Sequence, residues 1–345
     1  MKALYLHIGT HKTGTTSIQH AAGSLAKKKS HEIGWYRGPS RYDKAIMQAT
    51  KYDKNLVRQF RSKLPSPRNG GNSAWISSEA LCGNPNNGYQ NSAVIYEMLR
   101  DATTDFSITI IIYLRKQDSF VESMYTQNIK QGETIEFDEY LMNFESQNAL
   151  NYLRILQDLS KYFGPENLVV RSFHTASQRG LLSDFSEIIQ DVSLENSTDQ
   201  RRNPSYSRRA LEVSKVCNES LNKQSKMQLR QVLQSEMPKL KGEALTFFSE
   251  KQRIAFHEKY LETNKAVAEH YLGENADKVF PITQKTDNSF DTVFSLDETA
   301  QLIKQIYKLR ESNTVTDQGI RAGIKVALAA YPNLKKLLKR LSFQK

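Results

Sequence analysis

The first 175 residues alternate short apolar runs with longer amphipathic ones. The apolar runs that predict strands are Ala3–Gly9, Ala74–Glu79, Ser107–Arg115 and Asn167–Phe173. Continuous apolar strands are typical of parallel sheets that are covered on both faces. Helical periodicity fills residues 14–29, 118–132 and 148–163 between or beside these strands. This alternation predicts a three-layer α/β fold with a central parallel sheet.

From about Asn203 onward the periodicity is mostly helical, with a long amphipathic run at 251–272 and three more helices after Ser295. We expect a main domain at 1–285 and a helical C-terminal extension at 286–345. The last helix, 333–343, has leucines on one face and basic residues around them: Leu334, Leu337, Leu338, Leu341, Lys335, Lys336, Lys339 and Arg340. Such a helix can lie on a membrane surface, or it can pack against its own chain or a partner.

Charge and cysteine content narrow the class of protein. With 48 Lys+Arg against 37 Asp+Glu, the chain carries a net charge of +11, which favours anionic partners. Two cysteines, Cys82 and Cys217, are too few for a disulfide framework. Neither a signal peptide nor an apolar run of membrane-spanning length is evident. We therefore expect a cytoplasmic protein. Binding of its C-terminal basic helix to the inner face of the membrane is an alternative that the sequence leaves open.

The segment LHIGTHKTGTTSIQ, residues 6–19, joins the first strand to a helix and is similar to a phosphate-binding loop. Gly9 and Gly14 have the spacing of a Walker loop, in which a lysine follows the second glycine. Here Thr15 takes that position, and Lys12 lies inside the loop. Loop amides and the helix N-terminus would still bind an anion, which Lys12 would approach from the loop.

The strand Ser107–Arg115 ends in an arginine, at a place where a nucleoside triphosphatase commonly has a metal-binding aspartate. Together with the displaced lysine, Arg115 predicts that the bound anhydride is handled by cations of the protein. We expect no metal to be required.

These two segments resemble the sulfotransferases that use 3′-phosphoadenosine 5′-phosphosulfate (PAPS), and among them the bacterial carbohydrate-type members. Lys12–Thr16 matches their loop motif K-[ST]-G-T-[TS]. Arg115 and Ser123, eight residues apart, match their motif for the 3′-phosphate. NPSYS at 203–207 adds to the resemblance, which covers residues 1–285 and implies a P-loop-type fold with PAPS as co-substrate.

The resemblance also implies roles for individual residues. Lys12 would neutralise the leaving 5′-phosphate, and the residues that would cradle the phosphosulfate are Thr13, Gly14, Thr15 and Thr16. Arg115 and Ser123 would bind the 3′-phosphate, so their loss should mainly weaken nucleotide binding. A late loop that closes over the adenine and the 3′-phosphate is matched by Arg202, Asn203 and Ser205.

A base must deprotonate the acceptor, and sulfotransferases use a glutamate or a histidine for this. Glu79 lies at the carboxyl end of the second predicted strand, where α/β proteins bind ligands. His11, beside Lys12, is the alternative base. His7, which alternates with apolar neighbours, is interpreted as a core histidine, and His174 follows the last predicted strand.

The acceptor is expected to be a hydroxyl or an amine, in a carbohydrate or glycoconjugate. Aromatic residues that could stack on sugars are Trp35, Tyr36, Tyr42, Trp75 and Tyr89. The alternatives are a magnesium-dependent P-loop kinase or nucleoside triphosphatase, and a non-catalytic nucleotide-binding member of the family. A nucleic-acid-binding function is not favoured, because the basic residues are spread along the chain and no known binding module is evident.

Overall fold

The computed structural model describes residues 2–27, 35–64, 73–190, 194, 206–219, 221–236 and 245–282. The predicted extension at 286–345, with its basic helix, lies outside the described residues, and so does the proposed late loop at 201–205. The domain boundary near residue 285 therefore stays a prediction.

A five-stranded parallel sheet forms the centre of the fold, with the strand order β2-β3-β1-β4-β5. The strands are β1 (Lys2–Gly9), β2 (Trp35–Arg37), β3 (Ser73–Ser77), β4 (Phe106–Leu114) and β5 (Leu168–Ser172). The central strand β1 pairs with β3 on one side and with β4 on the other. Consequently the loops after β1, β3 and β4 leave the sheet at the same edge.

The central strands are buried on both faces. In β4, the neighbours Ile110 and Ile111 are both fully buried; in β1, Leu4, Leu6 and Ile8 are buried on one face and His7 is buried on the other. A strand with buried residues in consecutive positions must be covered on both sides, since successive side chains point to opposite faces.

Thirteen α-helices occur within the described residues. They are α1 (Thr15–Lys27), α2 (Arg41–Gln48), α3 (Lys54–Arg61), α4 (Ser92–Ala102), α5 (Gln117–Gln131), α6 (Phe137–Ser146), α7 (Tyr152–Phe163), α8 (Phe173–Arg179), α9 (Leu181–Ile189), α10 (Arg208–Asn218), α11 (Lys223–Glu236), α12 (Glu250–Val267) and α13 (Ala276–Val279). Several begin at polar caps: Asn151 accepts a hydrogen bond from the Arg154 amide at 3.1 Å, and Ser40 and Asp43 form a capping box.

Helices cover both faces of the sheet. On one face, Ile18 and Ala22 of α1 and Phe185 of α9 share a core with Trp75 of β3 and Ile111 of β4. On the other face, α7 packs on β4 and β5 and also against α4. The predicted fold class is confirmed: this is a three-layer α/β fold of the P-loop type.

The described residues fall into two compact units. The first comprises residues within 1–121, 141–201 and 251–283 and contains the whole sheet. The second comprises residues within 122–140 and 202–250. Its core is aromatic, with Tyr125, Phe137 and Phe247 in mutual ring contact, and Asn218 of α10 donates to the carbonyls of Ile129 and Glu133 at 2.7 and 2.9 Å.

Candidate active site

The loop between β1 and α1 is braced against the neighbouring strand and against itself. Thr10 donates to the Tyr113 carbonyl of β4 twice, from its amide at 2.9 Å and from its hydroxyl at 3.0 Å. Thr13 donates its hydroxyl to the Thr10 carbonyl at 2.6 Å. Both threonines are fully buried. The predicted binding residue Thr13 thus has a hydroxyl that already stabilises the loop.

Left-handed backbone conformations give the loop its shape. Gly9 and Gly14 have φ angles of 107° and 77°, and Lys12 has a φ of 64°. At Gly14 a Cβ would overlap the side chain of Leu181, at the start of α9, and would lie 3.4 Å from Phe173. A glycine at position 14 is therefore required both by its backbone conformation and by the close approach of these side chains.

Arg115 holds the loop at its lysine. This residue directly follows β4, and its guanidinium donates to the Lys12 carbonyl at 2.8 Å. The same guanidinium lies 5.6 Å from the centre of the Phe173 ring, and the Arg115 carbonyl accepts from the Tyr152 hydroxyl at 2.6 Å. The two cationic residues predicted at opposite ends of the nucleotide are therefore linked directly.

The N-terminus of α1 offers donors for an anion. Ser17 and Ile18 donate to the Gly14 carbonyl at 2.9 and 3.3 Å, which leaves the amides of Thr15 and Thr16 ahead of the first helical hydrogen bonds. The Thr15 hydroxyl is buried and has no hydrogen-bond partner among the described residues. A bound phosphate or sulfate would supply the missing acceptor, so the site fits an anionic group.

Glu79 lies beside the loop. The strand β3 ends at Ser77, two residues earlier than the sequence predicted, and Glu79 starts a 3-10 helix, Glu79–Cys82. A Cβ added at Gly9 would lie 3.5 Å from the Glu79 Cβ, so the start of this helix packs directly against the loop. The side chain is half-buried. A carboxylate in this position is available as a proton acceptor.

His11 contacts a buried tyrosine and is close enough to Glu79 to interact with its charge. Its Nδ1 is 3.4 Å from the hydroxyl of Tyr89, and the two ring centres are 6.1 Å apart. Burial lowers the pKa of His11; the nearby Glu79 carboxylate raises it and Lys12 lowers it, and the net pKa lies below the usual value of 6.5. His11 is therefore neutral at neutral pH.

Other predicted residues lie elsewhere or cannot serve as expected. Ser123 is a half-buried residue of α5 in the second compact unit, and its role stays a prediction. Trp75 and Tyr89 are almost completely buried, at 2% and 0% exposure, so they do not stack on a sugar in this conformation. His174 lies in α8 and contacts Gln178 at 3.2 Å. His7 is a core residue, as interpreted, and its Nδ1 is 2.9 Å from the Ser77 hydroxyl.

A buried charge network follows Arg115 and was not predicted. Asp118, on the first turn of α5, forms an ion pair with Arg253 of α12 and lies 3.6 Å from His257 and 4.0 Å from Lys116. Burial by itself would raise the pKa of Asp118, but His257, Lys116 and Arg253 together hold it well below its ordinary value. The network ties the first turn of α5 to α12. No sequence pattern marks this long-range pairing.

The described residues contain neither a cluster of metal-binding side chains nor a candidate membrane-spanning helix. Within these ranges, no group of three or more histidine, cysteine, aspartate or glutamate side chains is arranged to hold a metal ion. In the same part of the chain, no helix is long and apolar enough to cross a membrane.

Comparison with known proteins gives weak similarities. No protein-family model matches the chain. It is 26% identical over 170 residues to an uncharacterized protein of Archaeoglobus fulgidus, a match that covers 48% of this chain and 46% of that protein. A crystal structure of a sulfotransferase from Alicyclobacillus acidocaldarius is similar with a TM-score of 0.46 and 12% identity, over 80% of this chain and 97% of that one. This level of structural similarity carries no conclusion about activity.

Proposed function

We propose that the protein is a sulfotransferase that moves a sulfuryl group from PAPS to a hydroxyl or amine of an acceptor. The observation that carries the proposal is the hydrogen bond from Arg115 to the Lys12 carbonyl. It joins the loop that carries Lys12 to an arginine at the end of the neighbouring strand. Such a pair suits a nucleotide with a phosphate at each end of its adenosine.

The donor set of the loop fits the phosphosulfate end of this nucleotide. Lys12, Thr16 and the first amides of α1 would bind it, and the buried Thr15 hydroxyl would gain the partner that it lacks. Arg115 and Ser123 would bind the 3′-phosphate, and Arg202, Asn203 and Ser205 would close over the adenine. This second set rests on the sequence resemblance.

The reaction would exchange one bond to sulfur for another. A bond forms between the acceptor oxygen or nitrogen and sulfur, while the bond between sulfur and the bridging oxygen breaks and its electron pair stays on the 5′-phosphate. Lys12 would neutralise the charge that develops there. The acceptor proton would pass to Glu79 or His11. In-line positioning of the two substrates would supply much of the remaining rate acceleration.

The acceptor is proposed to be a carbohydrate or glycoconjugate. The support is the net charge of +11, which suits an acidic glycan, and the resemblance to carbohydrate-type sulfotransferases. Labelled PAPS and a panel of bacterial glycans would identify the acceptor. A panel of small amines and phenols, run in parallel, would reveal an acceptor of another class.

The donor is tested first by calorimetry with 3′-phosphoadenosine 5′-phosphate (PAP) against ATP plus Mg²⁺. We expect PAP to bind without metal and ATP·Mg²⁺ to bind weakly or not at all. Preference for ATP·Mg²⁺ would overturn the proposal and favour a P-loop kinase or nucleoside triphosphatase.

The role of Lys12 is tested by Lys12→Ala. Loss of one donor to a developing negative charge typically lowers kcat by about 10²–10³-fold, so we expect at least this loss. Lys63→Ala, at an exposed lysine just after α3, is the matched control and should retain full turnover. Full activity of Lys12→Ala would refute the proposed chemistry.

A further inference from the structure

The segment 83–91 holds Tyr89 in an unusual conformation. Tyr89 has a φ of 56°, in the left-handed region that residues other than glycine rarely adopt, and its side chain is fully buried. Its amide donates to the Asn84 carbonyl at 3.0 Å. Gly83, with a φ of 110°, lies against the ring, because a Cβ there would be 3.2 Å from Tyr89 Cδ1. The backbone is therefore shaped around this tyrosine.

Neighbouring elements hold the same segment in place. Arg154 of α7 donates to the Gly88 carbonyl at 2.6 Å, and Arg154 is itself 3.7 Å from Asp158. Gly88 has a φ of 67° and passes so close to the Gln147 carbonyl that a Cβ would overlap it. A strained residue that is anchored on both sides points to a positional role for its side chain.

The hydroxyl of Tyr89 contacts the imidazole ring of His11. Its oxygen is 3.4 Å from His11 Nδ1, and no other side-chain partner of this hydroxyl occurs in the described part of the chain. Burial raises the pKa of Tyr89 well above 10, as do the nearby Cys82, Tyr152 and Glu79, while a hydrogen bond from the His11 backbone lowers it. Tyr89 therefore keeps its proton, and Nδ1 of His11 lies within hydrogen-bond distance of that hydroxyl.

The direction of this hydrogen bond and the tautomer of His11 depend on each other. A neutral imidazole has one N–H and one acceptor nitrogen. If Nδ1 accepts the tyrosine proton, the ring proton must be on Nε2. A ring in this form can donate from Nε2 but cannot take up a proton there. The Glu79 carboxylate beside it has acceptor oxygens only.

We propose that Tyr89 is a positioning residue that holds His11 as the Nε2–H tautomer, so that His11 donates a hydrogen bond from Nε2 and Glu79 is the base. The assignment of Glu79 as the base rests on the proposed sulfuryl transfer, whereas the proposed tautomer of His11 does not depend on that function. In the reaction the acceptor proton moves to a Glu79 oxygen as the new bond to sulfur forms and the bond to the bridging oxygen breaks. His11 would donate to an oxygen of the transferring group or of the acceptor, and its protonation state would not change.

The tautomer can be measured directly by NMR on the full chain labelled with ¹⁵N-histidine. The two ring nitrogens of a neutral histidine have separate shifts in each tautomer, and His11→Gln identifies the signals of His11. We expect the Nε2–H form at neutral pH. In Tyr89→Phe, which keeps the ring and removes the hydroxyl, we expect a shift toward a mixture of both tautomers and a changed His11 pKa. Tyr96→Phe is the matched control, since Tyr96 is equally buried and its hydroxyl donates to the Cys82 carbonyl at 3.3 Å.

Two results of this measurement would overturn the proposal: an Nδ1–H tautomer in the native protein, or an unchanged His11 spectrum in a folded Tyr89→Phe. The first does not depend on whether the variant folds. The titration of His11 also includes the influence of Glu79 and Lys12, which act on its pKa in opposite directions and are unchanged in Tyr89→Phe.

Kinetics then test the division of roles. Glu79→Gln should lose about 10²–10⁴-fold in kcat and lose the acidic limb of the pH profile, as expected for removal of a base. Tyr89→Phe should lower kcat several-fold and keep that limb, with little change in KM. If Glu79→Gln keeps the limb and His11→Gln loses it, His11 is the base and the proposal fails. A protein that shows the expected tautomer and does not bind PAP would disprove the sulfotransferase function alone.

Discussion

Replacing Arg115 with alanine should reduce turnover as well as nucleotide affinity. The substitution removes the hydrogen bond that its guanidinium donates to the Lys12 carbonyl at 2.8 Å. Lys12 has a φ of 64°, a conformation that costs about 1–2 kcal/mol for a residue with a side chain. A hydrogen bond from a charged donor stabilises by about 1.5–3 kcal/mol. Without it, the loop conformation that presents Lys12 becomes less stable by a similar amount.

Converted to a rate, this destabilisation corresponds to a kcat that is lower by roughly 10–100-fold. The increase in KM from the lost 3′-phosphate contact would be additional. Steady-state kinetics at saturating PAPS separates the two effects, and calorimetry with PAP gives the affinity independently. Arg100→Ala is the matched control, because Arg100 of α4 pairs with Asp101 at the surface and its side chain is 46% exposed.

The refuting result is a kcat for Arg115→Ala within about twofold of the native value together with weakened PAP binding. The arginine would then act on the 3′-phosphate alone, as the sequence resemblance implied. The hydrogen bond to Lys12 would be incidental to catalysis.

Two further substitutions test the packing around the site by urea denaturation. Gly14→Ala should lower the free energy of unfolding by about 1–2 kcal/mol or more, because φ is 77° and Leu181 must move. In Gly23→Ala, within α1, the added Cβ meets no neighbour, so this control should stabilise the protein by about 0.5–1 kcal/mol. Equal effects of the two substitutions would contradict this interpretation. Asp118→Asn should destabilise by about 3–5 kcal/mol at neutral pH, because it leaves buried cations without their carboxylate. Since the pKa of Asp118 is lowered in the folded state, its stabilisation is complete above the unfolded value of 3.8 and is lost as the pH falls below it. The difference in unfolding free energy between Asp118→Asn and the native protein should therefore be equal at pH 7 and 5 and smaller at pH 3. The control Asp105→Asn, at an exposed pair with Arg61, should change stability by at most about 1 kcal/mol. A difference for Asp118→Asn that does not depend on pH would contradict the reasoning.

Three of the four strands that the sequence predicted, β1, β3 and β4, have buried residues in consecutive positions. β4 was expected at 107–115 and is found at Phe106–Leu114. It could be predicted because its continuous apolar run includes five consecutive residues, Ile110–Leu114, that are all buried. The edge strand Trp35–Arg37 was missed, since three residues are too few to show any periodicity. The short helices α2 and α3 were also missed. Each has only eight residues, and the main sequence signal of each is its N-cap, Ser40 or Asp53.

The loop and the arginine could be predicted because each is a local motif at the end of a strong strand. Residues paired over long sequence distances could not be. Tyr89 is 78 positions from His11, and Arg253 is 135 positions from Asp118, so neither pair leaves a pattern within a sequence window. Tyr89 was in fact grouped with aromatics for sugar stacking, which its complete burial contradicts.

The strand order places two neighbouring segments against the loop after β1. Because β1 lies between β3 and β4, the segment after β1 is contacted from both sides: Glu79 after β3 packs against Gly9, and Arg115 after β4 bonds to the Lys12 carbonyl. An acidic and a basic residue therefore contact the same few residues of backbone, each from the segment after a different strand. A shift of that backbone would move Lys12 relative to both neighbours at once. Residues that only brace the loop, such as Thr10 and Thr13, consequently contribute to the placement of groups that they do not touch.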